Sequence, residues 1–243
     1  MNGRDLQCQV VGEGGNLGFT QAGRIEYARF GGRINTDAID NSAGVDSSDR
    51  EVNIKIPLNV LMKEGGLQRG VRDKLLSSMT RDVASHVLRT NYLQSQAISL
   101  MERTAAARLD EHANLIRTLE RNGLLKRRLE GLPDDDELTE RRNRGQGLYR
   151  PELAVLLSYS KLALYPEVVA SPVPDEEWLK RELQDYFPQA LQKKYGKALD
   201  AHRLGREIIA TVLTNQVANH MGAPFCHRLA EEQGMGISRV VRA

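Results

Sequence analysis

Hydrophobic positions along this 243-residue chain change their period once. Residues 6–11, Leu-Gln-Cys-Gln-Val-Val, predict a short strand that runs into the turn Gly12-Glu13-Gly14-Gly15-Asn16. Residues 20–30 space Ile25, Ala28 and Arg29 for one face of a short helix, and Arg33-Ile34-Asn35-Thr36 predicts a second short strand. Strand, turn, helix, strand is the order of an α/β unit with parallel strands. From about residue 71 the period becomes helical. Leu204, Ile208, Ile209, Val212, Leu213, Gln216, Val217 and Met221 form an amphipathic stripe over 204–221, and fainter stripes cover 71–93, 95–121, 151–165 and 175–195. The expected architecture is therefore mostly α with a small α/β part: residues 1–70 as an incomplete α/β portion and 71–243 as a helical bundle. Two strands cannot cover a sheet on both faces, so the chain reads as a piece of something larger, with an edge that a second copy could cover in a homo-oligomer.

Three stretches interrupt the periodicity. Pro133, the run Asp134 to Glu137, and Arg141-Arg142-Asn143-Arg144-Gly145-Gln146-Gly147 predict an exposed connection. Pro166, Pro172 and Pro174 bracket a second predicted loop, with Asp175 as a helix cap. Residues 52–60 give two answers: Val52, Ile54, Ile56, Leu58 and Val60 alternate as in a strand, whereas Ser48-x-x-Glu51 has the spacing of a helix-starting capping box and Pro57 opposes an uninterrupted helix.

Charge narrows the partners. With 34 basic and 32 acidic side chains the chain carries a formal +2, and residues 1–70 hold eight of the basic and nine of the acidic ones. Neither part is a basic module, which argues against nucleic acid, and 5% aromatic content argues against a stacking platform for single strands. No apolar run approaches the roughly 18 residues of a membrane span, and the N-terminus has no secretory pattern, so a cytoplasmic protein without membrane attachment is expected. Cys8 and Cys226 lie near opposite ends and are expected as free thiols.

Two segments could carry chemistry. Glu13-Gly14-Gly15-Asn16 follows a predicted strand, where open α/β sheets place their ligands, although Gly-Gly-Asn is also an ordinary turn. Asp37 to Glu51 follows the second predicted strand: Asn41 with Ser42, Ala43 and Gly44 offers amide chemistry on an open backbone, and Ser47 and Ser48 offer hydroxyls near a helix start that favours anions. Caps and turns explain the same residues equally well.

Taken together, the segments resemble the distal nucleotide-binding domain of the glutamate dehydrogenase family. That family has, in order, Glu-Gly-Ala-Asn, a Thr, a Pro-Asp, an Asn-Ala-Gly-Gly-Val turn and a Ser seven residues past that Asn. Here Glu13 to Asn16, Thr20, Asp37, Asn41 to Val45 and Ser48 keep that order and spacing. Gly-Arg-Ile-Glu-Tyr-Ala, Ile-Asp-Asn-Ser-Ala-Gly-Val-Asp-Ser-Ser-Asp, Arg-Pro-Glu-Leu-Ala-Val-Leu-Leu at 150–157 and Arg206 to Thr211 are similar to the large bacterial NAD-specific members, so the resemblance spans nearly the whole chain. It implies a Rossmann-like portion over 1–70 and a C-terminal helical domain over 71–243. It also implies NAD as cofactor and L-glutamate and 2-oxoglutarate as substrate and product. Glu13, Gly14, Gly15 and Asn16 would lie at the cofactor, with Asn16 on its ribose, Asn41 would meet the nicotinamide carboxamide, and Ser48 would receive the side-chain carboxylate of glutamate.

Departures accompany the match. Gly15, Ser42 and Ala43 differ from the family wording, and Thr36 rather than Pro precedes Asp37. No Gly-x-Gly-x-x-Gly opens a helix, and the family's catalytic Lys and Asp have no counterpart, so no catalytic residue is expected here and the chain alone should be inactive. His86, His112, His202, His220 and His227 show no metal-ligand spacing and read as surface or interface residues; no metal is expected. Lys126-Arg127-Arg128 and Arg141-Arg142-x-Arg144 read as solvated loops, and no Gly-x-Ser-x-Gly elbow supports a serine hydrolase. The rival reading is a non-catalytic helical interaction or regulatory module.

Overall fold

A computed structural model describes residues 2–243. Its helices, in chain order, are α1 (Gln21–Arg29), α2 (Asp37–Asp40), α3 (Ser42–Lys63), α4 (Arg69–Ser78), α5 (Thr80–Arg103), α6 (Leu109–Arg121), α7 (Asp135–Asn143), α8 (Arg150–Ala170), α9 (Lys180–Tyr186), α10 (Gln189–Asp200), α11 (Gly205–Met221), α12 (Phe225–Gln233) and α13 (Ile237–Arg242). Among the described residues no β-strand forms. The two runs expected as strands meet at one parallel bridge, Val10 with Arg33, held by Val11 N–H to Arg33 O and Arg33 N–H to Gln9 O, both 2.9 Å. The bridge has the parallel direction of an α/β unit, but neither run extends into a strand, because among the described residues the pair has no third neighbour. The mostly helical class stands, and the α/β part reduces to this bridge.

Two apolar cores organise the bundle. One gathers Ile39 from α2, Ile98 and Met101 from α5, Leu115, Ile116 and Leu119 from α6, Leu138 from α7 and Leu153 to Leu157 from α8. The other gathers Ile54 and Leu58 from α3, Met79, Leu164 and Val168 from α8, Leu183, Phe187, Leu191 and Leu199 around α9 and α10, and Ile208, Ile209 and Leu213 from α11. Helix α8 serves both, its first half in one and its second half in the other, which is why its sequence is apolar on every side. By length and composition it could cross a membrane; half of its apolar stretch is buried within the bundle, where it packs against α5, α6 and α11.

Several expected boundaries change. The connection over 133–147 is a capped helix: the Asp134 carboxylate accepts from the Glu137 N–H at 2.8 Å, Asp135 to Glu137 fill the first turn of α7 and Arg141 and Arg142 the last. The charge runs that looked like a solvated loop are matched to the helix dipole. Arg127 and Arg141 are not solvated either. Arg127 donates twice to Glu120 (3.0 and 2.6 Å), and Arg141 forms a bidentate pair with the buried Glu152 at 2.7 and 2.8 Å.

Residues 52–60 are helical, inside α3, which starts at Ser42 rather than at a Ser48 cap. Proline at 57 removes the N–H that would bond Asn53 O, and the His202 ring takes that carbonyl, Nε2 to O 3.1 Å, while its Nδ1 accepts from the Leu204 N–H. Pro166 likewise sits within α8, with its own ring and Leu162 one turn back both exposed, so water can satisfy the freed carbonyl. The single helix expected over 71–93 breaks at buried Met79 into α4 and α5. Helix α1 buries Arg24 and Tyr27, not the Ile25, Ala28, Arg29 stripe. His112, His202 and His227 are buried, not at the surface.

Candidate functional site

Both candidate segments lie just beyond the parallel bridge, at the carboxyl ends of the bridged runs, and the structure brings them into contact. The Asn41 side-chain amide donates to Asn16 Oδ1. Asn41 ends α2 and precedes α3, so its position follows from where those two helices meet. Gly44 leaves room for it: a Cβ there would stand 3.0 Å from Asn41 Oδ1.

Glu13 is tied to its own chain. Its carboxylate is 5% exposed and fully engaged: Oε2 accepts from Arg24 Nε at 2.6 Å, and Oε1 accepts from Arg24 Nη2 at 2.9 Å and from the Phe19 N–H at 3.0 Å. Glu13 holds the loop 12–19 onto α1, and Thr20 caps α1 by accepting from the Gly23 N–H at 3.1 Å.

The second clamp is Asp37. Its Oδ2 accepts from the Leu17 N–H at 2.9 Å, and its Oδ1 lies 3.2 Å from Arg24 Nη2. The Leu17 N–H, with Arg24 beside it, holds the Asp37 carboxyl below the usual carboxylate range. Leu17 has φ +58°, a left-handed conformation that costs a non-glycine residue roughly 1–2 kcal/mol, and its side chain is 84% exposed. The strained residue of this turn is Leu17; Gly14 and Gly15 have ordinary φ and open space where a Cβ would be, so nothing inside the chain needs them to be glycine. Asp40 completes the frame, accepting from the Glu13 N–H at 3.0 Å and from Asn35 Nδ2 at 2.7 Å.

Ser48 stands apart. It is exposed in α3, with its hydroxyl donating to Gly44 O at 3.4 Å. Seven residues, or two turns, separate it from Asn41, which places it on the same helix face about 10 Å further along. A cleft of about 400 Å³ opens next to it between α3, α5, α9 and α11, lined by Asp46, Asp49, Arg50, His86, Tyr186 and Asn219 among others. Burial and the neighbouring Asp46 raise the Asp49 carboxyl. Among the described residues no cluster of His, Cys, Asp and Glu is arranged for a metal.

Sequence reasoning singled out Asn16, Asn41 and their loops, which the structure brings into contact, and missed Arg24 and the roles of Asp37 and Asp40. One signal was available: an arginine in the middle of a short helix, eleven residues after a glutamate in a glycine turn, needs a partner once that helix is buried.

The two loops thus carry amides and glycines side by side, with open space above Gly14 and Gly15. Residues 1–101 match the family model described as bacterial NAD-glutamate dehydrogenase, catalytic domain, and residues 145–243 match that of glutamate dehydrogenase, C-terminal. The chain is 49% identical over all 243 residues to the NAD-specific glutamate dehydrogenase of Pseudomonas aeruginosa and 44% identical over 243 residues to that of Halomonas elongata. Over 235 residues it is 42% identical to that of Mycobacterium tuberculosis. It spans 15%, 15% and 14% of those relatives. Over its whole length the chain is thus similar to a small part of bacterial NAD-specific glutamate dehydrogenases.

Proposed function

We propose that this chain works within an NAD-dependent glutamate dehydrogenase that oxidises L-glutamate to 2-oxoglutarate and ammonia, with residues 1–70 as the distal part of its nucleotide-binding domain and 71–243 as a helical domain. The observation that carries the reading is the meeting of Asn16 and Asn41 beyond the parallel bridge. Two amides there supply donors and acceptors suited to a ribose hydroxyl and a carboxamide, and the open space over Gly14 and Gly15 gives a cofactor room to approach the backbone. NAD, when bound, accepts hydride from the substrate α-carbon.

In this reading the chain's own residues orient and hold. Asn16 meets the ribose, Asn41 fixes the nicotinamide carboxamide, and Ser48, two turns along α3, donates to the distal carboxylate of glutamate. Glu13, Arg24 and Asp37 keep the first loop in place and do not touch the cofactor. Cytoplasmic location and a homo-oligomeric state belong to the same proposal.

The test is Ser48→Ala in the full-length polypeptide. Loss of one hydrogen bond to a carboxylate should raise the KM for glutamate about tenfold or more with the fold intact. A KM for glutamate equal to that of the parent removes Ser48 from the substrate site.

A further inference from the structure

Ser42 departs from the family wording, which has Ala after the Asn, and the structure shows what the hydroxyl is for. It donates to Ile39 O at 2.8 Å, and it accepts from Asn91 Nδ2 and Gln94 Nε2, each at 3.1 Å. Asn91 Nδ2 also reaches Ile39 O at 3.0 Å. Both donors come from α5, so this helix grips the turn between α2 and α3 directly next to Asn41. Behind Gln94, which is buried, stands Lys161 of α8, its Nζ donating to Gln94 Oε1 at 3.0 Å. Lys161 lies where α8 passes from one apolar core to the other, and burial lowers its ammonium to about 7 with no carboxylate to offset it.

The chain of bonds has a direction. In its ammonium form Lys161 has donors and no acceptor. Facing Lys161, the Gln94 amide must therefore turn its oxygen toward α8 and its NH₂ toward Ser42. That leaves the Ser42 proton free for Ile39 O. An acceptor in place of the lysine would allow the amide to rotate, present its oxygen to Ser42 and take the proton away from Ile39.

We infer that Lys161 is a positioning residue for the cofactor site, acting through the Gln94 amide and the Ser42 hydroxyl to hold the turn that presents Asn41. The inference rests on the proposed role of Asn41 and adds to it a link from the region matching the C-terminal family model to the region matching the catalytic domain. It also gives a reason for an expensive feature, a half-buried lysine without a counter-ion.

Gln94→Glu separates positioning from packing. In the full-length enzyme the carboxylate still accepts from Lys161 and supplies the missing countercharge, so thermal stability should equal or exceed that of the parent. It cannot donate to Ser42. The expected result is a KM for NAD raised about tenfold, the scale of one lost hydrogen bond, with the KM for glutamate within about twofold. Amide exchange in peptides from residues 39–48 should be faster without ligand. Lys161→Met should move the KM for NAD and the exchange in the same direction, and Lys161→Arg, which keeps donors only, should stay near the parent. Parental KM for NAD and parental exchange in both Gln94→Glu and Lys161→Met overturn the relay. If the parent itself shows no NAD-dependent glutamate oxidation, the functional reading fails, and the exchange of 39–48 still decides the relay.

Discussion

Replacing Glu13 by Gln tests whether that residue is scaffold or ligand. The substitution keeps the shape of the side chain and one acceptor oxygen, but it removes the charge facing Arg24 and points an NH₂ group at a guanidinium that can only donate. Glu13 and Arg24 are 5% and 6% exposed, so water cannot replace the lost partner. Breaking a buried ion pair from one side destabilises by about 3–5 kcal/mol, and the Asp37 oxygen 3.2 Å from the same guanidinium places this case near 3 kcal/mol. With a urea dependence of about 3 kcal/mol per molar for a chain of this size, the unfolding midpoint should fall by about 1 M. Peptides covering 12–24 should exchange their amides faster in parallel. Adding Arg24→Met should recover part of the loss, because no unpaired cation then remains beside the glutamine. A midpoint shift below about 0.3 M would show that the pair does not hold the loop; a selective loss of NAD affinity at unchanged stability would return Glu13 to the cofactor.

Two further outcomes follow from buried groups elsewhere. His112, 1% exposed and with Nδ1 unpartnered, has its imidazole pushed down to about 4 by burial. Its folded value lies below its unfolded one, so the unfolded chain binds more protons between about pH 6.5 and 4, and stability falls as pH falls through that window by up to about 3 kcal/mol. His112→Leu should flatten the dependence measured by urea midpoints at pH 7, 5.5 and 4.5, and an unchanged slope would refute the assignment. At Gly147 a Cβ would stand 2.3 Å from Ala105 C and 2.5 Å from Ala106 N, backbone against backbone. Gly147→Ala should therefore cost about 3 kcal/mol and lower the melting temperature by about 6 °C or more; an unshifted melt would mean that the α7–α8 connection can move aside.

Legibility in the sequence followed the range of the forces involved. The stripe at 204–221 marked α11 within a residue, although Gln216 and Met221 of the stripe are exposed and Ala210, Thr214 and Ala218 outside it are buried. Helix α7 was missed because its signals are electrostatic: acids in the first turn and arginines in the last look like a charged loop unless they are read as a cap and a dipole. Helix α3 was ambiguous because Pro57 breaks a local rule and the repair comes from His202, 149 residues beyond the Asn53 carbonyl that it meets. The site divides in the same way. Asn16 and Asn41 were legible as loop residues with a spacing, whereas the ties that bring them together, from Arg24, Gln94 and Lys161, depend on which helices pack against the two loops.

Those ties explain how two asparagines hold a fixed relation with almost no sheet beneath them. The parallel bridge supplies two backbone hydrogen bonds, too few to order the loops on either side of it. The first loop is pinned from α1 by the Glu13, Arg24, Asp37 cluster, and the second from α5 and α8 by Asn91, Gln94 and Lys161. Asp40 links the two, because the carboxylate that accepts from the Glu13 N–H sits one residue before Asn41. The two clamps share no residue, and Asp40 and the Asn41–Asn16 bond join the loops that they hold, so damage to one clamp should loosen its own loop more than the other. Glu13→Gln should therefore speed amide exchange over 12–24 more than over 42–48, and Gln94→Glu should do the reverse, a pattern that a general loosening of the bundle would not produce.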